Sequence, residues 1–148
     1  MRPTSRGFVR IKSADPLAAP AMQPNYLSTE YDRRSMVAGA HMARALAATP
    51  SLSPYVLEEL QPGASVRTDE QILESVREYG SSGYHPVGTC RMGTDAGAVV
   101  DPRLRVRGIE GLRVIDASVM PTLVSGNTNA ATIMIAEKGA DLVREDMN

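Results

Sequence analysis

The chain has 148 residues, a formal net charge of −1 and one cysteine. That length gives room for one core and too little for two full-sized domains. The balanced charge excludes the basic footprint of a nucleic-acid binder, and a lone thiol excludes an intramolecular disulfide.

Taken in chain order, Phe8-Val9-Arg10-Ile11-Lys12 alternates apolar and charged side chains, the period of a half-buried strand. Pro16, Pro20 and Pro24 forbid helix and predict an extended segment leading to Asn25-Tyr26-Leu27. Thr29, followed by Glu30 and Asp32, is the N-cap pattern of a helix running to about Ala48. Met36, Met42, Ala43 and Leu46 make its expected apolar face, with Arg33, Arg34 and Arg44 on the wet side. Tyr55 to Leu60 is expected to form one or two turns. Thr68-Asp69-Glu70-Gln71 has capping-box spacing and opens a helix through Tyr79, with Ile72, Leu73 and Val76 at helical intervals. Gly80, Gly83, Gly88, Gly93 and Gly97 then punctuate a folded loop. Beyond it Leu104 and Val106 alternate with arginines, Arg113 to Asp116 forms a short buried strand ending in a carboxylate, and Asn129 to about Glu145 forms a last helix. Ile133, Ala136, Ala140 and Val143 are its expected apolar face. The order is α+β, with no complete βαβ unit.

Two further absences bear on location. No run approaches the roughly 18 apolar residues of a membrane span, and Arg2 and Arg6 are not followed by the apolar stretch of a secretory leader. The expectation is a soluble, cytoplasmic protein. Aromatic residues are 4 % of the chain, with no Trp and a single Phe8. Ala and Met bury little area each, at about 25 cal/mol per Å². Such a core is thin for a stand-alone domain. Either the composition reflects an Ala-rich bias, or its apolar faces pack on a partner segment.

Candidate chemistry concentrates in two glycine-containing turns. His85 lies between Tyr84 and Pro86 in Tyr84-His85-Pro86-Val87-Gly88-Thr89-Cys90-Arg91-Met92-Gly93, where proline rather than a helix holds the local backbone. A neutral imidazole suits proton transfer near neutral pH. Ser125-Gly126-Asn127-Thr128-Asn129 precedes the last helix. One asparagine there is expected to act as N-cap. The free N–H groups of that helix start also suit an anionic or electron-accepting group, such as the pyrimidine edge of a flavin that turns negative on reduction. Asp116 reads as a turn or cap residue, and spacing alone does not favour a contact of Asp116-Ala117 with the ribityl or phosphate part of a nucleotide cofactor. His41, within a helix, and Cys90 read as structural. No zinc spacing and no G-x-S-x-G elbow is present, so neither a metal site nor a serine hydrolase is expected.

These motifs together, with Leu112-Arg113-Val114-Ile115-Asp116-Ala117-Ser118 between them, resemble the C-terminal part of the glucose-methanol-choline (GMC) family of FAD-dependent alcohol oxidoreductases, choline dehydrogenases in particular. The resemblance runs from about Ser5 to Val143 and is specific only as a combination. It implies that the whole chain, residues 1–148, is a GMC C-terminal domain whose residues 112–143 pack on an FAD-binding domain. It implies that His85 is the catalytic histidine. The family's second catalytic residue, six positions after the turn proline, falls on Asn127 counted from Pro121. Asp116, Ala117, Thr128 and Asn129 would then lie along the FAD. The sequence contains no Gly-x-Gly, so the family's dinucleotide cradle is expected in a missing N-terminal segment or a separate chain. Two readings follow: the catalytic portion of a larger enzyme oxidising a small alcohol to an aldehyde or ketone, or a non-catalytic fragment or subunit docking on a separate FAD-binding chain.

Overall fold

The capping box at Thr68 forms as its spacing predicts. Thr68 Oγ1 accepts from the Gln71 N–H at 3.2 Å, and Gln71 Oε1 accepts from the Thr68 N–H at 3.1 Å. In the computed structural model, which describes residues 2–147, this box opens a helix at Asp69–Tyr79. The elements in chain order are β1 (Phe8–Arg10), β2 (Ala21–Gln23), α1 (Glu30–Ala47), α2 (Asp69–Tyr79) and α3 (Asn129–Met147), with short 3-10 turns at Ser53–Tyr55 and Ala117–Val119. The mixed helix and strand content is that of an α+β chain. It divides into two compact units, one made of Thr4–Gly7 and Gln23–Ser82, the other of the first residues, Phe8–Met22 and the chain from Gly83 onward.

In the unit containing α1 and α2, Thr29 caps α1 as expected, its Oγ1 accepting from the Asp32 N–H at 3.3 Å. The face that α1 buries is not the expected one. Met42 and Leu46 are 73 % and 59 % exposed, whereas Val37 is buried and Arg33, Ala40, Arg44 and Ala47 are partly covered. Those inner positions follow a four-three spacing, so the helical period is right and its phase is rotated. Arg44 explains the rotation. Its guanidinium grips Glu59 through two nitrogens, at 2.8 and 3.1 Å, and donates to the Val66 carbonyl at 2.8 Å. A cation with this many partners is tolerated inside. Tyr55 to Leu60 differs too: the helical turn covers only Ser53–Tyr55, and Val56 returns to extended geometry (φ −92°, ψ 114°).

The other unit holds the larger core. Val100, Leu104, Val119 and Leu142 are buried together, with Met92, Val106, Val114, Ile115 and Ile135 packed around them. Its backbone is held by single bridges, Met92 with Val100, Val100 with Val106, and Arg105 with Arg113, in place of the continuous strand expected over Arg113 to Asp116. On α3, Ile133 is 54 % exposed and Gly139 and Leu142 are buried, so the expected face is again rotated. Gly139 sets that face: a Cβ there would collide with Ile115, so α3 approaches at its one glycine. β1 pairs with β2, which occupies the three residues between Pro20 and Pro24 whose N–H groups are free to pair. The half-burial expected of β1 is not met, because Phe8 and Val9 stay exposed.

Candidate active site

The candidate site is built within the second unit, on the turn before Pro121 and on the head of α3. Asp116 starts the turn: its Oδ1 accepts from the Ser118 N–H at 2.7 Å and caps the 3-10 residues Ala117–Val119. The turn in turn holds the glycine loop. The Cys90 N–H donates to the Ser118 carbonyl at 3.0 Å, and the Met92 N–H to the Val119 carbonyl at 2.8 Å. Gly88 is needed for this approach. Its φ is +86°, and a Cβ there would lie 3.3 Å from the Met120 carbonyl oxygen.

Four residues before Gly88, Tyr84 takes a left-handed φ of 58° and directs the chain into His85-Pro86. The His85 ring is exposed, and its Nδ1 lies 3.1 Å from Thr128 Oγ1. Thr128 is itself buried, at 9 % exposure, immediately before α3. Its carbonyl accepts from both the Thr132 N–H, at 2.9 Å, and the Thr132 hydroxyl, at 2.8 Å. The position heading α3 thus belongs to Thr128, not to either asparagine as expected. Asn127 and Asn129 flank it and are exposed. Upstream, Arg2 Nε donates to Ser125 Oγ at 2.8 Å and steadies the turn leading into Asn127.

The sequence motifs therefore converge in part. His85 and Thr128 meet directly, Asn127 and Asn129 lie on either side of that contact in the chain, and Asp116 and Ala117 form the turn to which the His85 loop is pinned. The structural role of Asp116 as a cap is present, and its Oδ2 is not used in the cap. The pairing of Thr128 with His85 is what sequence reasoning missed. A threonine before a helix reads as an ordinary cap, and nothing in the spacing points to a partner 43 residues away.

Other polar groups have local work. His41 Nε2 lies 2.7 Å from Asp69 Oδ1 and braces α1 against α2. Arg103, Arg105 and Arg113 all converge on Asp146 near the end of α3, which holds that carboxyl far below its usual range, hydrogen bonding from Arg113 contributing most. A hollow of about 400 Å³ beside Arg105, Arg107 and Arg113 belongs to this ion network and does not include His85. Among the described residues no group of three or more His, Cys, Asp or Glu is placed to hold a metal ion, and no helix is long and apolar enough to cross a membrane.

Comparison with known proteins gives the context. A family model described as GMC oxidoreductase matches residues 3–136. An oxygen-dependent choline dehydrogenase from Proteus mirabilis is 50 % identical over 144 residues, which is 97 % of this chain and 26 % of the relative. An alcohol dehydrogenase [acceptor] from Pseudomonas putida is 49 % identical over 141 residues, 95 % of this chain and 26 % of the relative. Among solved structures, an FAD-dependent oxidoreductase from Chaetomium thermophilum superposes with a TM-score of 0.90 at 34 % identity, covering 99 % of this chain and 26 % of that one. The chain spans about a quarter of the length of the relatives it matches.

Proposed function

This chain belongs to the GMC oxidoreductase family, and on that premise we propose that it supplies the proton-handling half of an FAD-dependent alcohol oxidation. The observation that carries the reading is the contact of His85 Nδ1 with Thr128 Oγ1 at the head of α3, which leaves the other ring nitrogen of His85 outside that bond, on an exposed ring, with Asn127 next in the chain. His85 takes the hydroxyl proton of a small primary or secondary alcohol at Nε2. The Asn127 amide donates to the same oxygen and fixes the carbinol for transfer. The products at the substrate are an aldehyde or ketone.

The residues present suit a flavin. A 19-residue helix starts at Asn129, and its first turn offers unpaired N–H groups at the positive end of the dipole. Asn127 and Asn129 are exposed beside it, and Asp116 keeps one carboxylate oxygen outside its cap. We assign Asp116, Ala117, Thr128 and Asn129 as the flavin-facing residues of this chain. When bound, FAD supplies the two-electron acceptor for the carbinol hydride. The remaining FAD contacts are assigned to the three quarters of the relatives' length that this chain does not span.

The test is His85→Ala and Asn127→Ala in the flavin-loaded enzyme that carries this chain, read by stopped-flow flavin reduction with excess alcohol. His85→Ala is expected to slow reduction by about 10²–10⁴-fold, and Asn127→Ala by about tenfold, the scale of one substrate hydrogen bond. Unchanged reduction in His85→Ala removes His85 from the chemistry. A second reading, a non-catalytic subunit docking on an FAD-binding chain, is favoured by the exposure of Ile133 and Met134 on α3, at 54 % and 60 %. Under it, the docked complex reduces flavin equally well with either variant.

A further inference from the structure

A neutral imidazole carries one N–H and one lone pair, and the partner of one nitrogen decides which is which. The chain's two histidines are held by opposite edges. His41 presents Nε2 to Asp69 Oδ1 at 2.7 Å. A carboxylate only accepts, so His41 carries its proton on Nε2. His85 presents Nδ1 to Thr128 Oγ1 at 3.1 Å, and a hydroxyl can either accept or donate.

We infer that Thr128 is a positioning residue for His85: its hydroxyl accepts from the His85 Nδ1–H and keeps the ring in the tautomer whose Nε2 lone pair is free. This rests on the reading of His85 as the base. Three features support it. Once His85 has taken a proton, both of its nitrogens are donors, so a hydroxyl facing Nδ1 can only accept. A partner that already accepts beforehand need not turn round during the transfer. The His85 ring is exposed, whereas Thr128 is buried. Its β-branched side chain is stiff at χ1, and its backbone is fixed by the two Thr132 hydrogen bonds. The buried member of the pair therefore orients the exposed one.

The experiment is ¹⁵N-histidine NMR on the 148-residue chain, above the pH at which both rings are neutral. The expected spectrum shows His85 as the Nδ1–H tautomer and His41 as the Nε2–H tautomer. In Thr128→Val, which keeps the shape and loses the hydroxyl, His85 shifts toward the Nε2–H form that an unrestrained histidine side chain favours, while His41 stays unchanged. Thr128→Ser keeps the wild-type pattern. Methyl signals of Val100 and Val119 report that the unit remains folded, and Thr128→Ala serves as a second hydroxyl-free variant. A wild-type His85 in the Nε2–H form overturns the inference by itself, as does a tautomer ratio indifferent to Thr128→Val. In the flavin-loaded enzyme, Thr128→Val is expected to slow flavin reduction about three- to tenfold, the range of one neutral hydrogen bond, at unchanged substrate affinity, with Thr128→Ser restoring it. The two proposals fail separately: normal reduction in His85→Ala removes the base but leaves the tautomer result standing, and the converse also holds.

Discussion

Thr128 Oγ1 and His85 Nδ1 lie 3.1 Å apart across 43 residues of chain. The contact is not an accident of one flexible side chain. The His85 loop is pinned by backbone hydrogen bonds from Cys90 and Met92 to Ser118 and Val119, and Thr128 is pinned by α3. Two independently anchored backbones therefore set the distance, which is how a scaffold places a polar pair reproducibly.

Gly88→Ala is expected to destabilise the unit carrying His85 by about 1–2 kcal/mol, the cost of a left-handed conformation for an L-residue. The φ of +86° and the Met120 carbonyl oxygen 3.3 Å from the added Cβ leave the methyl no relaxed position. Urea denaturation measures the loss. A variant as stable as wild type would show that the loop does not adopt this turn in solution.

Gly139→Ala sets two effects against each other. Alanine favours helix by about 1 kcal/mol over glycine, but its Cβ collides with Ile115, with Cδ1 of that residue only 2.9 Å away. Overpacking of this kind costs about 1–3 kcal/mol, so a net loss is expected. Combining it with Ile115→Ala should cost less than the sum of the single changes, because the second substitution makes room for the first. Strict additivity in the double-mutant cycle would disprove the close approach of α3 at Gly139.

Asp32 predicts an acid-sensitive joint. Burial, the largest influence, pushes its carboxyl up, but hydrogen bonds from Ser5 and Thr4 together outweigh it and hold it at about 2 against an ordinary 3.8. The Thr4 and Ser5 N–H groups both donate to it at 2.8 Å. Because the folded value is depressed, the stabilisation is fully present above about pH 4 and is lost as pH falls from 3.8 toward 2. Asp32→Asn is expected to lower stability by about 2 kcal/mol at neutral pH, the scale of hydrogen bonds to a charged acceptor, and to flatten the acid dependence in this window. Denaturation midpoints measured from pH 6 to pH 2 for both proteins check it. An unchanged acid slope in the variant would assign the sensitivity elsewhere.

Local signals carried much of this protein in the sequence alone. Thr29 and Thr68 mark helix starts because a cap depends on residues within three positions of one another, and both form with the expected partners. The glycine loop around His85 and the helix start at Asn129 are legible for the same reason, as is the family resemblance that joins them. The faces of α1 and α3 were not legible. Periodicity fixes the spacing of an inner face but not its phase when large apolar residues are few, and the phase was decided by Arg44 finding Glu59 and by Gly139 admitting Ile115. The pairing of Thr128 with His85 belongs to the same class. Each depends on a partner distant in sequence, and only the tertiary packing of this chain, which brings those partners within contact distance, decides which side chain each residue meets.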